Sequence, residues 1–470
     1  MAMRRAVAII GLLLSSAAHA QKALYVSTNG AHQAPYTNWT MAATNIHSAL
    51  NSSVAGDTIM LSNGVHYLPE QARLGYTGGM TTNANKNIRF TSLNGAEFTS
   101  IQLIPTNQNF FPIAANAAAT GGRYMFDNLT FGPTALAGDN LVVIQPCGGF
   151  TTISNCVFDR ITNSGKPSAI GFRWNYLGFH ATVQVVNCVF DRVGNVPIGD
   201  IGYSGVPNAH SFVSNCVFRA CYSGVYGGSV RYMNVFNSEF ITCSNSGGWG
   251  AATTQSSNIA NCIAYYCKGS SVFYLLNTAS NCVTIGGSGG QAAFYGGQTP
   301  KAYNCISVGW HTPGFSGFNV DARNCLNLFG NIYGFYGNGI NSAFAYCAAD
   351  VPSWERVKQT NLFRGTFATV TNSPRLVDSD YYDANWHPGL TGTNFVLGPR
   401  GLRGLMPRAD SPLRNMGLTD FAPFGNALAL DAVDGNPGLP RINEDAVDIG
   451  PFEFYPAQKR ARAHMASGRR

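Results

Sequence analysis

Apolar and polar positions alternate along this chain in short runs, and the runs lead into one recurring phrase. Phe150-Thr-Thr-Ile153-Ser, Val183-Gln-Val185-Val and Phe212-Val-Ser precede Asn155-Cys156-Val157-Phe158, Asn187-Cys188-Val189-Phe190 and Asn215-Cys216-Val217-Phe218. Asn261-Cys262-Ile263, Asn281-Cys282-Val283, Asn304-Cys305-Ile306 and Asn324-Cys325-Leu326 continue the series. Asn237-Ser238-Glu239-Phe240 puts Ser in place of Cys, and Asn128-Leu129-Thr130-Phe131 lies upstream. Alternation with period two is the mark of a strand buried on one face. Ile153 therefore faces in, Asn155 turns a corner, and Cys156 and Phe158 face in again. Asn suits that corner because it tolerates the left-handed backbone that a one-residue turn requires.

Successive corner asparagines from Asn155 onward are 32, 28, 22, 24, 20, 23 and 20 residues apart. Irregular spacing above a common minimum near 20 predicts a coil of fixed circumference with loops of variable length inserted at its corners. The expected fold is all-β: a right-handed parallel β-helix, a solenoid in which each coil contacts only its neighbours. Stacking would set the corner Asn residues about 4.8 Å apart, where their amides can form a ladder. The Cys after each Asn would form an interior column, and Cys221, Cys243 and Cys267, each five residues after Cys216, Ser238 and Cys262, mark a second file. One cysteine per coil fits packed thiols better than disulfides, although neighbouring rungs do bring Cα atoms within bridging distance.

The ends of a solenoid need covering. Tyr25-Val-Ser-Thr-Asn-Gly30 reads as a strand, Thr44 to Leu50 as a short helix with Ile46, Ala49 and Leu50 on one face, and Gly56-Asp57-Thr58-Ile59-Met60-Leu61 as another strand. That helix is the expected N-terminal cap. On these residues the chain resembles the pectate-lyase-like parallel β-helix superfamily, whose members commonly open with such a strand, an amphipathic capping helix and a "GDTI" strand. The resemblance implies the fold; lyases, hydrolases, epimerases and non-catalytic surface proteins share that opening. Asn394-Phe395-Val396-Leu397, Asp410-Ser411-Pro412-Leu413-Arg-Asn415-Met-Gly417, Asp434-Gly435-Asn436-Pro437 and Asp448-Ile449-Gly450-Pro-Phe452-Glu453 resemble the closing segment of choice-of-anchor Q proteins. The chain departs from that pattern at Asn415, where Asp is usual, and at Leu413-Arg414, where a smaller pair stands.

The expected organisation is a signal peptide over 1–20, a β-helix over 21–456 and a basic tail over 457–470. Within the β-helix, 21–80 forms the cap and first coils, 81–350 the core coils and 351–456 the closing segment. Arg4 and Arg5, the apolar run Ala6 to Leu14 and Ala18-His19-Ala20 have the form of a secretory leader, so the protein is expected to be secreted, to a periplasm or outside the cell. No later stretch is long enough to span a bilayer. The formal charge is +7, and Arg4, Arg5, Lys459, Arg460, Arg462, Arg469 and Arg470 account for all of it. A near-neutral body argues against nucleic acid as a partner.

Chemistry is legible only as a class. A β-helix lyase of the calcium type resembles a cluster of carboxylates beside a Lys or Arg base, and a hydrolase needs two or three carboxylates close together. From Gly247 to Thr299 there is no Asp or Glu. Asp159-Arg160 and Asp191-Arg192 recur in identical places, which favours a structural ion pair. Arg173, Asp200, Tyr203 and His210 break the repeat and are the candidate catalytic set: Arg173 to hold a carboxylate, His210 or Tyr203 to move a proton, Asp200 to orient either. Trp174, Tyr226, Trp249 and Arg231 are the candidate substrate-binding residues. The unusually long coils here place the expected site between Arg173 and Arg231 rather than on later coils.

Aromatics recur about once per coil, at Trp174, Tyr203, Tyr226, Trp249, Tyr274, Tyr295, Phe318 and Tyr336. Facing outward they would stack on sugar rings; facing inward they would be core, and the inward reading is favoured because stacked rings fill solenoid interiors. No CxxC pair or Cys/His cluster has zinc spacing. Asp431 to Asn436 departs from a calcium loop, so no cofactor is expected and calcium has no motif. The function expected is binding, and depolymerisation, of polysaccharide along one face; the alternative is a non-catalytic surface or adhesive solenoid.

Overall fold

The computed structural model describes residues 21–68, 87–103, 113–115, 123–136, 142–146, 149–163, 168–172, 181–194, 196–200, 211–226, 233–245, 250–297, 299–310, 314–328, 335–337, 343–345, 347–349, 368–369, 396, 399, 402, 405 and 408–411. Strands dominate, and every pairing between them is parallel. Each coil contributes one strand to each of three faces. In one coil these are Ser168–Phe172, Ala181–Val186 and Val189–Asp191, which pair with Ile198–Asp200, Ser211–Ser214 and Val217–Arg219 of the next. These faces are called here the first, second and third sheet. The chain is a right-handed parallel β-helix, the sense that parallel crossovers take. In the later coils the long strands Gly250–Ala260 and Ser271–Ser280 run through both the first and the second sheet without a break.

At the N-terminal end the helix Ile46–Ser52 buries Ile46, Ala49 and Leu50. Its start is fixed by Asn45, whose side chain accepts from the Ser48 amide at 2.8 Å and so satisfies one of the free N–H groups of the first turn. The strands Ala23–Val26 and Thr58–Leu61 on either side of it pair with each other. Among the described residues no helix is long and apolar enough to cross a membrane. The expected leader, residues 1–20, and most of the closing segment lie outside the described residues.

The asparagine corner forms as its chemistry requires. Asn128, Asn155, Asn187, Asn215, Asn237, Asn261, Asn281, Asn304 and Asn324 all have φ between 48° and 56°. Their amides bond from coil to coil, Asn187 to Asn155 at 3.3 Å, Asn261 to Asn237 at 2.9 Å and Asn324 to Asn304 at 3.1 Å. The ladder begins on Asp127, whose Oδ1 accepts from Asn155 Nδ2 and Ser154 Oγ, both at 2.9 Å, while Oδ2 accepts from Arg89 at 2.6 Å. Burial by itself would raise the Asp127 pKa. The hydrogen bonds from Asn155, Arg89 and Ser154 and the Arg89 charge overcome it and hold the carboxyl below its ordinary range.

Cys156, Cys188, Cys216, Cys262, Cys282, Cys305 and Cys325 are buried one rung above another, as expected. Every described cysteine is a free thiol. Cys156, Cys188 and Cys216 each donate to the carbonyl two residues back, at 3.1, 3.3 and 3.3 Å. Burial pushes the Cys156, Cys216, Cys262 and Cys305 thiols up, which keeps them protonated and unreactive. Beside them the rings of Phe131, Phe158, Phe190, Phe218 and Phe240 stack along the inner face of the third sheet, with centroids 4.8 to 4.9 Å apart.

A second left-handed corner closes the third sheet in each coil. Arg160, Arg192, Ala220, Thr242 and Tyr266 hold it with φ of 46° to 53°, and Gly286 and Gly309 with 58° and 65°. Each non-glycine amide here donates to the next coil, as Arg160 does to the Asp191 carbonyl at 2.9 Å and Ala220 to the Ile241 carbonyl at 2.9 Å.

Candidate functional site

The outer surface of the first sheet carries the arrangement most suited to a ligand. In the strands Ser271–Ser280, Phe294–Gly296, Phe315–Gly317 and Phe335–Gly337, the phenylalanines Phe273, Phe294, Phe315 and Phe335 share one register column. Phe273, Phe294 and Phe315 are buried. Side chains one position on must face the other way, and that column reads Tyr274, Tyr295, Ser316, Tyr336. Tyr274 and Tyr295 are half-buried, and their rings stand 5.4 Å apart at 62°. Tyr336 is 38% exposed, while nearby Phe318 and Leu276 are 53% and 40% exposed. Ser316, a small residue between Tyr295 and Tyr336, is buried and interrupts the run of rings in the column.

This corrects the inward reading of Tyr274, Tyr295, Phe318 and Tyr336. Phe-Tyr-Gly in one strand offers two rings on opposite faces, and the ring without a hydroxyl takes the dry side. Burial and the neighbouring Tyr295 raise the Tyr274 pKa, so its phenol stays neutral and can both donate and accept. Its hydroxyl lies over Gly297, where a Cβ would stand 3.1 Å from it.

A row of amides on the second sheet leads up to the coil of Tyr274. Asn258 Nδ2 donates to Asn234 Oδ1 at 2.8 Å, Asn277 Nδ2 to Asn258 Oδ1 at 3.1 Å, and Thr278 Oγ1 to Asn277 Oδ1 at 3.3 Å. Tyr274, Asn277 and Thr278 sit on one strand, Ser271–Ser280, whose pairing shifts register between Leu275 and Thr278. Thr278 pairs in register with Lys301, and Lys301 with Asp321. Asp321 accepts from Arg323 Nε at 2.7 Å and from the Tyr303 hydroxyl at 3.1 Å. Burial first, then the Asp321 charge and that bond, raise the Tyr303 pKa. Asp321 is thereby engaged as a structural anion.

The repeated Asp-Arg pairs behave the same way. Arg160 contacts Asp159 at 2.7 Å, and Arg192 contacts Asp191 at 2.5 Å and Asp159 at 3.5 Å, so Arg192 ties two coils together. Among the described residues no group of three or more His, Cys, Asp and Glu side chains could hold a metal ion.

The candidate catalytic and binding residues fall mostly elsewhere. Arg173, Tyr203, His210, Trp174, Trp249 and Arg231 lie outside the described residues. Asp200 ends the strand Ile198–Asp200, in register with Phe172, and Tyr226 ends the strand Val225–Tyr226, in register with Gly199 and Thr254. Their backbones are described and their side chains are not. Arg173 and Trp174 follow the strand Ser168–Phe172 directly, and Trp249 directly precedes Gly250–Ala260. Asp200 and Tyr226 thus belong to the first sheet, the same sheet that bears the tyrosine column.

No protein-family model matches the chain, and no curated protein matches it. Several solved structures are similar to it. The pectate lyase Pel9A is 14% identical, with a TM-score of 0.44 over 93% of this chain and 97% of that one. The A-module of the Azotobacter vinelandii mannuronan C-5 epimerase AlgE4 is 12% identical, with a TM-score of 0.34 over 69% and 90% of the two chains. The catalytic domain of a GH87 α-1,3-glucanase is 12% identical, with a TM-score of 0.39 over 74% and 68%. At these identities and scores no residue and no activity carries over to this chain.

Proposed function

We propose that this protein is a secreted polysaccharide-binding β-helix whose ligand lies along the outer face of the first sheet, across Tyr274, Tyr295 and Tyr336. The observation that carries the reading is the register: tyrosines recur on one outward column, and the amide row of Asn234, Asn258 and Asn277 ends on the strand of Tyr274 where that column begins. Aromatic faces pack on the apolar faces of sugar rings, and amides exchange hydrogen bonds with hydroxyls. Along the face the groups beside the ring column change from coil to coil, Asn277 and Thr278 beside Tyr274 giving way to Lys301 beside Tyr295, so successive sugars would meet a ring and then a different polar partner.

Depolymerisation, on this reading, belongs to the set Arg173, Asp200, Tyr203 and His210. Arg173 has the charge to hold a carboxylate, His210 or Tyr203 can move a proton, and Asp200 can orient either. Trp174, Tyr226, Trp249 and Arg231 would extend the binding surface towards them. The described carboxylates Asp127, Asp159, Asp191 and Asp321 are tied to arginines and favour binding alone on the coils that carry them. The test is a screen of the purified protein against neutral and uronate-rich polysaccharides, following retention, unsaturated products and reducing ends. Retention lost in Tyr295→Ala supports the face. Turnover lost in Arg173→Ala, Asp200→Ala or His210→Ala with retention intact supports the catalytic set. No retention on any glycan would leave the non-catalytic surface solenoid in its place.

A further inference from the structure

We infer that the bore of the later coils holds a file of ordered water molecules seated between Thr284, Ser307 and Asn327. These residues are consecutive register partners on the inner face of the third sheet, and they are 1%, 0% and 0% exposed. In earlier coils the same column is filled by Phe158, Phe190, Phe218 and Phe240, and then by Ala264. The column thus changes from rings to short polar side chains in the middle of the core.

Thr284 Oγ1, Ser307 Oγ, Asn327 Nδ2 and Asn327 Oδ1 are all buried with no hydrogen-bond partner among the protein atoms. Native cores leave only a few such groups unpaired per hundred residues, and here four of the atoms fall on three adjacent rungs of one column. Exchanging the ends of the Asn327 amide does not help, since both ends lack a partner. Unlike the asparagine ladder, no direct bond joins one rung to the next here; a water about 2.8 Å from a polar atom on each of two rungs that repeat at about 4.8 Å closes the gap.

The surroundings fit a small neutral guest. Phe294 and Phe315, stacked 4.8 Å apart at 4°, stand on the opposite wall and offer no competing polar group. At Gly314 a Cβ would lie 2.2 Å from Asn327 Oδ1 and 3.1 Å from Ser307 Cβ, so the glycine makes room for the amide. Hydroxyl and amide oxygens also suit a cation, but a buried cation needs a counter-charge and no group of three His, Cys, Asp or Glu occurs among the described residues; water needs none. Each water then bridges two rungs, one between Thr284 and Ser307 and one between Ser307 and Asn327.

A high-resolution crystal structure of the full chain, together with the thermal midpoint of Thr284→Val, tests this. Val matches Thr in shape and lacks only the hydroxyl. The expected result is solvent density within hydrogen-bond distance of Thr284, Ser307 and Asn327, and a Tm lowered by a few degrees in Thr284→Val because a bridging water loses an anchor. A dry bore in the wild-type density overturns the inference. So does a raised Tm in Thr284→Val, since that change would then only delete an unpaired buried hydroxyl.

Discussion

Phe240 and Phe273 meet edge to face, with centroids 6.2 Å apart and planes at 83°, and at this contact the aromatic stack crosses the bore from the third sheet to the first. The parallel pair Phe218–Phe240 at 4.8 Å precedes it, and Phe294–Phe315 at 4.8 Å follows soon after. An earlier crossing, from Phe126 on the second sheet to Phe131 on the third, has the same form at 6.2 Å and 72°. Facing walls compensate in volume. Ile170, Ile198 and Val225 line the first sheet while the third sheet supplies rings; Ala264, Thr284, Ser307 and Asn327 line the third once the first does. Along these coils the sequence varies which wall provides the ring.

Removing a ring from the middle of a stack should therefore leave a cavity that neither wall can fill. Phe218→Ala is expected to cost about 3–5 kcal/mol, measured by denaturant unfolding. A loss below about 1 kcal/mol would show that the neighbouring Phe190 and Phe240 rings collapse into the space.

The asparagine corner should be less tolerant than the cysteine column beside it. Asn215 has φ of 54°, and Val in that conformation is strained by about 1–3 kcal/mol. Cys216→Ser should be nearly neutral, because Ser238 already occupies the column, donating to the Phe236 carbonyl at 2.7 Å and accepting from the Cys216 amide at 3.2 Å. Thermal midpoints of Asn215→Val and Cys216→Ser check the order; equal losses would contradict it.

This corner was legible in the sequence because one steric demand selects one residue type, and Asn followed by an inward Cys repeats with it. The second corner was not. Arg160, Arg192, Ala220, Thr242 and Tyr266 share no side-chain preference for positive φ; the backbone bonds to the next coil hold them there, and those bonds exist only after stacking. The outward tyrosines were missed for another reason. Alternation says that Phe294 and Tyr295 face opposite ways without saying which is inside, and the recurrence of Phe-Tyr-Gly at Phe294 and Phe335 is the signal that settles it.

Acid should destabilise the N-terminal coils in two stages. His66 is buried, its Nε2 lies 2.9 Å from the Ser62 carbonyl, and burial outweighs that bond in lowering its pKa. A His with a lowered native pKa binds protons more readily unfolded, so its contribution is full above the unfolded value of about 6.5 and is lost as pH falls below it. Asp127, also lowered, adds a loss below its ordinary value of about 3.9 as its bonds to Arg89 and Asn155 fail. Stability measured from pH 8 to pH 3 should fall in both ranges. His66→Gln should flatten the upper one, and Asp127→Asn the lower.

The glycan face makes the most direct functional prediction. Tyr295 is the centre of the outward column, in register with Tyr274 on one side and Ser316 on the other, so a polymer lying along the face cannot avoid it. Losing one stacked ring removes about 1.5 kcal/mol of contact, which is about tenfold in Kd. Tyr295→Ala should therefore weaken retention on the identified polysaccharide about tenfold, while Tyr295→Phe, which keeps the ring, should retain most of the affinity. Tyr336→Ala should cost less, because Ser316 stands between it and the tyrosine pair. The fold should be unaffected in all three, since the inner column of Phe273, Phe294 and Phe315 is untouched. Affinity electrophoresis of the three variants, with circular dichroism as the control on folding, decides it: unchanged mobility of Tyr295→Ala in a gel that retards the wild type would move the ligand off this face.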